Sequence, residues 1–509
     1  MAVIELFNPL LDLFKQYWVA IIGLATLLYL LSNRYQKGLQ KIPGPWIRSV
    51  SSIPRILSVY KSFSHEDDLR LHKKYGKIVR IAPNSLSISD PHEINTLYGI
   101  STKFYKSRFY DLASVHDEEG LVPDPFVLTN KELHSRMKRN AANAYSMNGL
   151  LQMESWIEPV TERLLQRLEE RHVKTGQPCD LGKLLQLYAM DAVFSLTFGK
   201  DKDFMEHGDQ HGMMRTLDLM TDYMAIFGQI PWIHKFLLGN KYGTRLLLGQ
   251  DTSEEAIMKL AMSEVDAVRE KDDDSGPCTF LRRLLLNQKS NPASLTDREI
   301  FTHSFGNIAA GSDTTAIALR SVMIHLLQYP DVQAKLHAEI QSANLQLPVS
   351  FVAANSLPYL NAVIKEAMRL HPSVGLMLAR YVPQGGATIC GQYIAQGTEV
   401  GINPWVLHRD PQVYPQPDIF RPERWLEAEK EHLSLMNKSF LTFGAGAHTC
   451  SGRQISLMEV TKVIPTLLLT YDFKLVEDGR DISFKNRWFT PQKGLKVFIT
   501  KAKNEVSFR

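Results

Sequence analysis

The chain has 509 residues, 44% of them apolar and 22% charged, which is ample for a large buried core. Its net charge of +4 is small and dispersed, which argues against a nucleic-acid binder. Four cysteines, Cys179, Cys278, Cys390 and Cys450, stand far apart with no C-x-x-C pair. That spacing argues against a disulfide scaffold or zinc cluster and fits a reducing compartment. Length alone allows two or three domains.

The first organised feature is an uncharged stretch from Gln16 to Asn33, rich in Leu, Ile and Val around Trp18. Its length lies at the lower end of the roughly 17–25 residues that cross a bilayer. Glu5 and Asp12 precede it, unlike the basic start of a signal peptide. Arg34, Lys37, Lys41 and Arg48 follow it, which by the positive-inside rule leaves the bulk of the chain cytosolic. A buried core helix is the competing reading. Ile42-Pro43-Gly44-Pro45 then ends any helix. The expected organisation is a tail over residues 1–15, a membrane anchor over 16–33, a basic, proline-containing hinge over 34–48, and a soluble remainder over 49–509.

Residues 77–90 alternate and contain turn residues, the pattern of a β-hairpin. From about residue 130 to 380 the periodicity is mainly helical, with a clear stripe between Trp156 and His172. Residues 270–294 are polar, with Asp272 to Pro277 at their centre, and read as a loop. A long helix is expected from a capping box at Thr296 and Glu299 to Tyr329, where Pro330 stops it. Its middle, Ala309-Ala310-Gly311-Ser312-Asp313-Thr314-Thr315, holds poor helix formers. That weakness points either to a bend or close approach, or to a helix crossing over small residues. A second helix, from Ser356 to His371, sets Glu366 and Arg369 on one face. Taken alone, that pair reads as an ordinary surface interaction. Residues 386–402 and 484–500 read as short strands. The expected class is mainly α with small β-sheets.

Near the C-terminus stands Phe443-Gly444-Ala445-Gly446-Ala447-His448-Thr449-Cys450-Ser451-Gly452, followed by a helical run from Ile455 to Leu467. A cysteine in a glycine-rich loop before a helix lies where backbone N–H groups and the helix dipole favour a thiolate. The glycines allow close approach of a flat ligand. The bland alternative is a small buried hydrophobe.

This loop resembles the haem-binding loop of the cytochrome P-450 superfamily, F-x-x-G-x-R-x-C-x-G, with His448 in place of the arginine. Ala310 to Thr315 resembles that family's A-G-x-D/E-T-T motif. Glu366 and Arg369 resemble its E-x-x-R, and Phe420 to Trp425 its P-E-R-F segment. Pro43-Gly44-Pro45 resembles its proline hinge. A fainter likeness is to fungal biosynthetic members. The resemblance implies a large helical domain with a smaller β-rich lobe, residues 49–509 forming one haem-thiolate catalytic domain.

What it implies for the residues is specific. Cys450 is the thiolate ligand of the haem iron, and Phe443 lies beside the haem. His134, Lys138, Arg380 and His448 are the partners of the haem propionates. On the other haem face Thr314 positions a proton relay that Asp313 connects to solvent. Glu366, Arg369 and Arg424 form a buried structural ion network. Apolar pocket walls are expected from residues 105–126, 305–309, 374–378 and 488–490. The resemblance implies a monooxygenase that uses O2 on an apolar small molecule, anchored in the endoplasmic reticulum membrane and facing the cytosol. Electrons come from a membrane-bound, NADPH-dependent flavoprotein reductase, for which Arg136, Lys138, Arg139 and Arg453 could offer a basic docking face. A haem-thiolate isomerase or dehydratase without a reductase, and a non-catalytic haem sensor, are the competing functions.

Overall fold

The computed structural model describes residues 2–502 apart from 115, 118, 119, 201, 210, 211, 241, 242, 244–261 and 270–277. Helix α1, Ala2–Tyr35, extends through the expected anchor and also takes in most of the expected tail. None of its apolar window is buried against the protein, with Trp18 51% and Leu28 57% exposed. A core helix would be covered, so that reading is excluded. One described helix is long and apolar enough to cross a membrane.

The end of α1 is tied down. The Arg80 guanidinium donates to the carbonyls of Asn33 (2.5 Å), Arg34 (2.8 Å) and Pro83 (2.6 Å). The Asn33 side chain donates to the Val50 carbonyl at 2.9 Å. These bonds satisfy carbonyls that a helix C-terminus leaves open. Gly44 in the proline hinge is required by the same neighbour, since a Cβ there would sit 2.5 Å from the Arg80 carbonyl oxygen.

The hairpin forms as β1, Ile78–Ala82, and β2, Ser85–Ile88. With β3 (Tyr105–Lys106), β4 (Arg380–Tyr381) and β5 (Glu399–Ile402) it builds a five-stranded sheet in the order β1-β2-β5-β4-β3. Only the β2–β5 pairing is parallel. The sheet sets Lys106 and Arg380 opposite one another across the β3–β4 pair. A three-stranded sheet joins Tyr471–Leu475, Lys496–Lys501 and Cys179–Asp180.

The helical body centres on α3. It comprises α2 (Lys131–Asn140), α3 (Leu181–Phe198), α4 (Met213–Phe227), α5 (Phe280–Ser290), α6 (Asp297–Gln328), α7 (Pro358–Leu370) and α8 (Arg453–Thr470), among others. Nearly all of α3 is buried, as expected of a helix apolar on every side. Helix α6 has the full capping box at Thr296 and Glu299 and runs uninterrupted to Gln328. Gly311 in its middle answers a close helix contact: a Cβ there would lie 3.0 Å from Val193 of α3.

One expectation is corrected. The loop assigned to 270–294 contains α5, capped by Thr279, whose hydroxyl accepts from the Arg282 N–H at 3.1 Å. Phe280, Leu281 and Leu284 are fully buried. Their helical spacing outweighs the polar Arg282, Arg283 and Asn287 on the outer face. Residues 270–277 lie outside the described residues.

Candidate active site

Before α8 the chain makes a tight loop. The Cys450 N–H donates to the Phe443 carbonyl at 2.8 Å, and a single 3-10 turn spans Gly446–His448. Gly444 has φ +68°, which a side chain would strain. A Cβ on Gly446 would fall 1.8 Å from the Tyr98 carbonyl oxygen. Close packing against the Tyr98 backbone therefore requires glycine at this position.

Cys450 lines a cavity of about 410 Å³ that also reaches Phe443, Thr314, Arg380, His134 and Lys138. The thiol is exposed by area yet deep in the protein, because it faces this cavity. Burial pushes the Cys450 thiol up. The N–H groups of Gly452 and Arg453 and the charges of Lys138 and Arg453 act in the opposite direction and favour the thiolate.

A cluster of basic side chains gathers on the same cavity. The His134 and His448 rings stand 4.3 Å apart. Lys138 donates to the carbonyls of Ala447 (3.0 Å) and Thr449 (2.6 Å), tying α2 to the cysteine loop. Arg380 donates to the Tyr110 hydroxyl at 3.3 Å and lies over the Tyr98 ring. Lys106 joins them, held by the carbonyls of Pro125 and Phe126, both at 2.6 Å. No sequence motif announces Lys106; the β3–β4 pairing brings it in. Burial, with Lys106, Lys138 and Arg380 adding, pushes His134 down to about 3. Burial and the same cations, with His134, keep His448 neutral.

Two buried atoms of this cluster, Arg380 Nε and His448 Nδ1, have no partner. Lys106, Lys138 and Arg380 gathered in one place, with the Arg380 Nε–H unmet, are the complement of a polyanion. The two carboxylates of a haem, with Cys450 as the iron ligand, fit this donor set. His448→Arg adds a fixed charge on that side. The variant is expected to keep its haem and its thiolate-type absorption spectrum; loss of that spectrum would show that the imidazole itself is required.

The long helix brings Thr314 but not Asp313 to the cavity wall. The Thr314 hydroxyl donates to the Ala310 carbonyl at 2.8 Å. Asp313 turns instead toward α3, where the Gln186 amide donates to its Oδ1 and the Gln186 carbonyl oxygen accepts from Arg320. Burial, reinforced by Asp218, pushes Asp313 up to about 7, against the pull of Arg320 and Gln186. Gln186, Arg320 and Asp218 were not legible as site residues; they come from three different helices or helix turns.

The remaining trio is brought together and fully buried. Glu366 Oε1 accepts from Arg369 and Arg424, both at 2.8 Å, and its Oε2 accepts from Trp425 Nε1 at 2.9 Å. Arg369 also donates to the carbonyls of His408 and Pro417, each at 2.7 Å. The Glu366–Arg369 pair is therefore not the surface pair its spacing alone indicated. Of the expected docking residues, Arg136 pairs with Glu299 and Lys138 serves the cysteine loop. Arg453 lies over the Phe443 ring.

The family model described as Cytochrome P450 matches residues 43–499. The cytochrome P450 monooxygenase cicH of Emericella nidulans is 34% identical over 484 residues, 93% of this chain and 96% of that protein. The monooxygenase pkfB of the same organism is 35% identical over 466 residues, 90% of this chain and 91% of the relative. The monooxygenase mpaDE' of Penicillium brevicompactum is 35% identical over 494 residues, and this chain spans 58% of its length. A cysteine loop, a basic cluster and an apolar cavity in one place, with a family match over most of the sequence, lead to one conclusion: the chain belongs to the cytochrome P450 family, whose haem is held through a cysteine thiolate.

Proposed function

We propose that this protein is a membrane-anchored monooxygenase that inserts one atom of O2 into an apolar small molecule, as a step of fungal secondary metabolism. Residues 49–509 act as one catalytic domain. Helix α1 holds it at the endoplasmic reticulum membrane with the cavity on the cytosolic side. A separate NADPH-dependent flavoprotein reductase supplies the electrons. The observation that carries the reading is the placement of Cys450 and Thr314 on one cavity, with Asp313 adjacent in α6.

The haem supplies the oxygen chemistry. The chain's own residues supply ligand, protons and a dry pocket. Phe126, Val193, Leu217, Met220, Phe305 and Trp488 wall the cavity with apolar surface, which selects an apolar substrate. Asp313, raised to about 7, holds a proton near neutral pH on the carboxyl oxygen opposite the Gln186 bond. Thr314 presents its hydroxyl to the cavity and positions the water that takes that proton inward. Gln186, itself held by Arg320, fixes the Asp313 carboxyl toward α3.

Reconstitution with a reductase in lipid tests this reading through substrate-dependent NADPH consumption and product formation. Asp313→Asn is expected to lower product formation by about 100-fold or more, the usual scale for removing a general acid. The fraction of NADPH consumed without product should rise. NADPH consumption that no ligand stimulates would favour the isomerase, dehydratase or sensor instead.

A further inference from the structure

One corner of the cavity is polar, and nothing in the oxygen chemistry uses it. It lies toward the N-terminal end of α6, where His303, Gly306 and Asn307 share the wall with Asp124 and Tyr145. His303 is 3% exposed and Asn307 7% exposed, yet His303 Nε2 and Asn307 Nδ2 have no hydrogen-bond partner. Leaving two such groups unmet costs stability, so the corner is built for something that meets them.

The polarity of each atom is set by its surroundings. The Met137 carbonyl accepts from the His303 ring, and burial pushes that ring down to about 4. His303 is therefore neutral, and its Nε2 is an acceptor. The Tyr145 hydroxyl donates to Asn307 Oδ1 at 3.0 Å, which leaves the Asn307 amide as a donor. Asp124 Oδ1 accepts from the Phe126 N–H at 2.6 Å. Its Oδ2 lies 3.9 Å from where a Gly306 Cβ would be, and apart from the helix's own backbone and the two adjoining residues no other atom comes within 4 Å of that point. The missing side chain leaves a notch beside the carboxylate.

We propose that Asp124, His303 and Asn307 around the Gly306 notch form a substrate-anchoring subsite for a hydroxyl group on an otherwise apolar skeleton. This deepens the monooxygenase reading and rests on it. A hydroxyl donates one hydrogen bond and accepts another, matching the acceptors and the donor offered. An ammonium group only donates and would leave the Asn307 donor unmet. Burial, against the weaker pulls of the Phe126 N–H and Lys106, also pushes the Asp124 carboxyl up and so disfavours the bare charge an ammonium would need. Gly306 and Thr314 are separated by roughly 12 Å along the helix at about 1.5 Å per residue. The anchored hydroxyl is thus remote from the carbon presented beside Thr314.

Equilibrium dialysis of the haem-loaded protein, without reductase, tests the subsite with three probes: para-heptylphenol, heptylbenzene and para-heptylbenzylamine. The phenol is expected to bind about 10-fold or more tightly than the hydrocarbon, because a site built for a hydroxyl penalises its absence. In Gly306→Ala the added methyl fills the notch, and in Asn307→Ala the donor is gone. Both should bring the phenol-to-hydrocarbon ratio near one while hydrocarbon binding stays within about twofold. Alanine is the better helix former, so Gly306→Ala folds at least as well as the parent chain. A phenol that does not bind, a ratio near one in the parent protein, or a ratio unchanged in both variants overturns the proposal, as would an amine that binds more tightly than the phenol and loses that advantage in both variants. Dialysis reads binding alone, so its result stands apart from any failure of NADPH-coupled turnover.

Discussion

Arg369→Ala is expected to cost about 3–5 kcal/mol of stability, the usual loss when one partner of a buried pair is removed. Arg369 and Glu366 have fully buried side chains. Without the arginine, Glu366 keeps the bonds from Arg424 and Trp425 but loses two donors of its own. The carbonyls of His408 and Pro417 lose theirs as well. Burial pushes the Glu366 carboxyl up, and the Arg369 hydrogen bond and charge are the first forces that bring it back below its ordinary range. Total stabilities are about 5–15 kcal/mol, so this loss removes a large share. Denaturant unfolding should show the midpoint falling, and the purified yield should fall with it. The contrast is Arg421→Ala: Arg421 pairs with Glu427 through side chains 45% and 59% exposed. That pair is worth at most about 1 kcal/mol. Equal losses in the two variants would remove the buried trio from its structural role.

Cys450→Ser is expected to abolish thiolate ligation and turnover while leaving the fold close to intact. The residue's packing partner is the cavity, and its structural contribution is a backbone N–H to Phe443 that serine retains. Absorption spectra of the purified variant should lack the haem-thiolate signature, and activity should fall below detection. Its unfolding midpoint should stay near that of haem-free parent protein. Two of the other cysteines, Cys179 and Cys390, make the control. Burial pushes the thiols of Cys179 and Cys390 up to about 12, and acidic neighbours add to the shift. Both remain neutral thiols, the unreactive form. Cys179→Ala and Cys390→Ala should keep the spectrum. A Cys450→Ser protein with a thiolate-bound haem would overturn the ligand assignment.

Local sequence reported well wherever one short segment decides the geometry. The capping box at Thr296 and Glu299, the stop at Pro330 and the hairpin between Ile78 and Ile88 each depend on neighbours along the chain. The cysteine loop was legible for the same reason. Tertiary pairing was not. Lys106 joins the basic cluster only because β3 lies beside β4, far away in sequence. Asp313 faces Gln186, and no periodicity in α6 announces which α3 residue lies opposite. Helix α5 was misread because its polar outer face dominates a short segment, while its buried Phe280 and Leu284 carry the fold. The Glu366–Arg369 spacing was plain, but only burial separates a structural network from a surface pair.

The clamp that Arg80 makes on the last carbonyls of α1 turns the proposed membrane anchor from a leash into a bracket. A leash would let the domain swivel freely above its membrane. A bracket makes the tilt of the span and the heading of the domain a single variable, because the helix end is gripped by a residue of the sheet that carries Arg380. An anchor exchanged upstream of Asn33 keeps that bracket and its angle. One exchanged at Gln36 still offers Arg80 two backbone carbonyls but loses the Asn33 side-chain bond to the Val50 carbonyl, and with it one of the ties that set the angle.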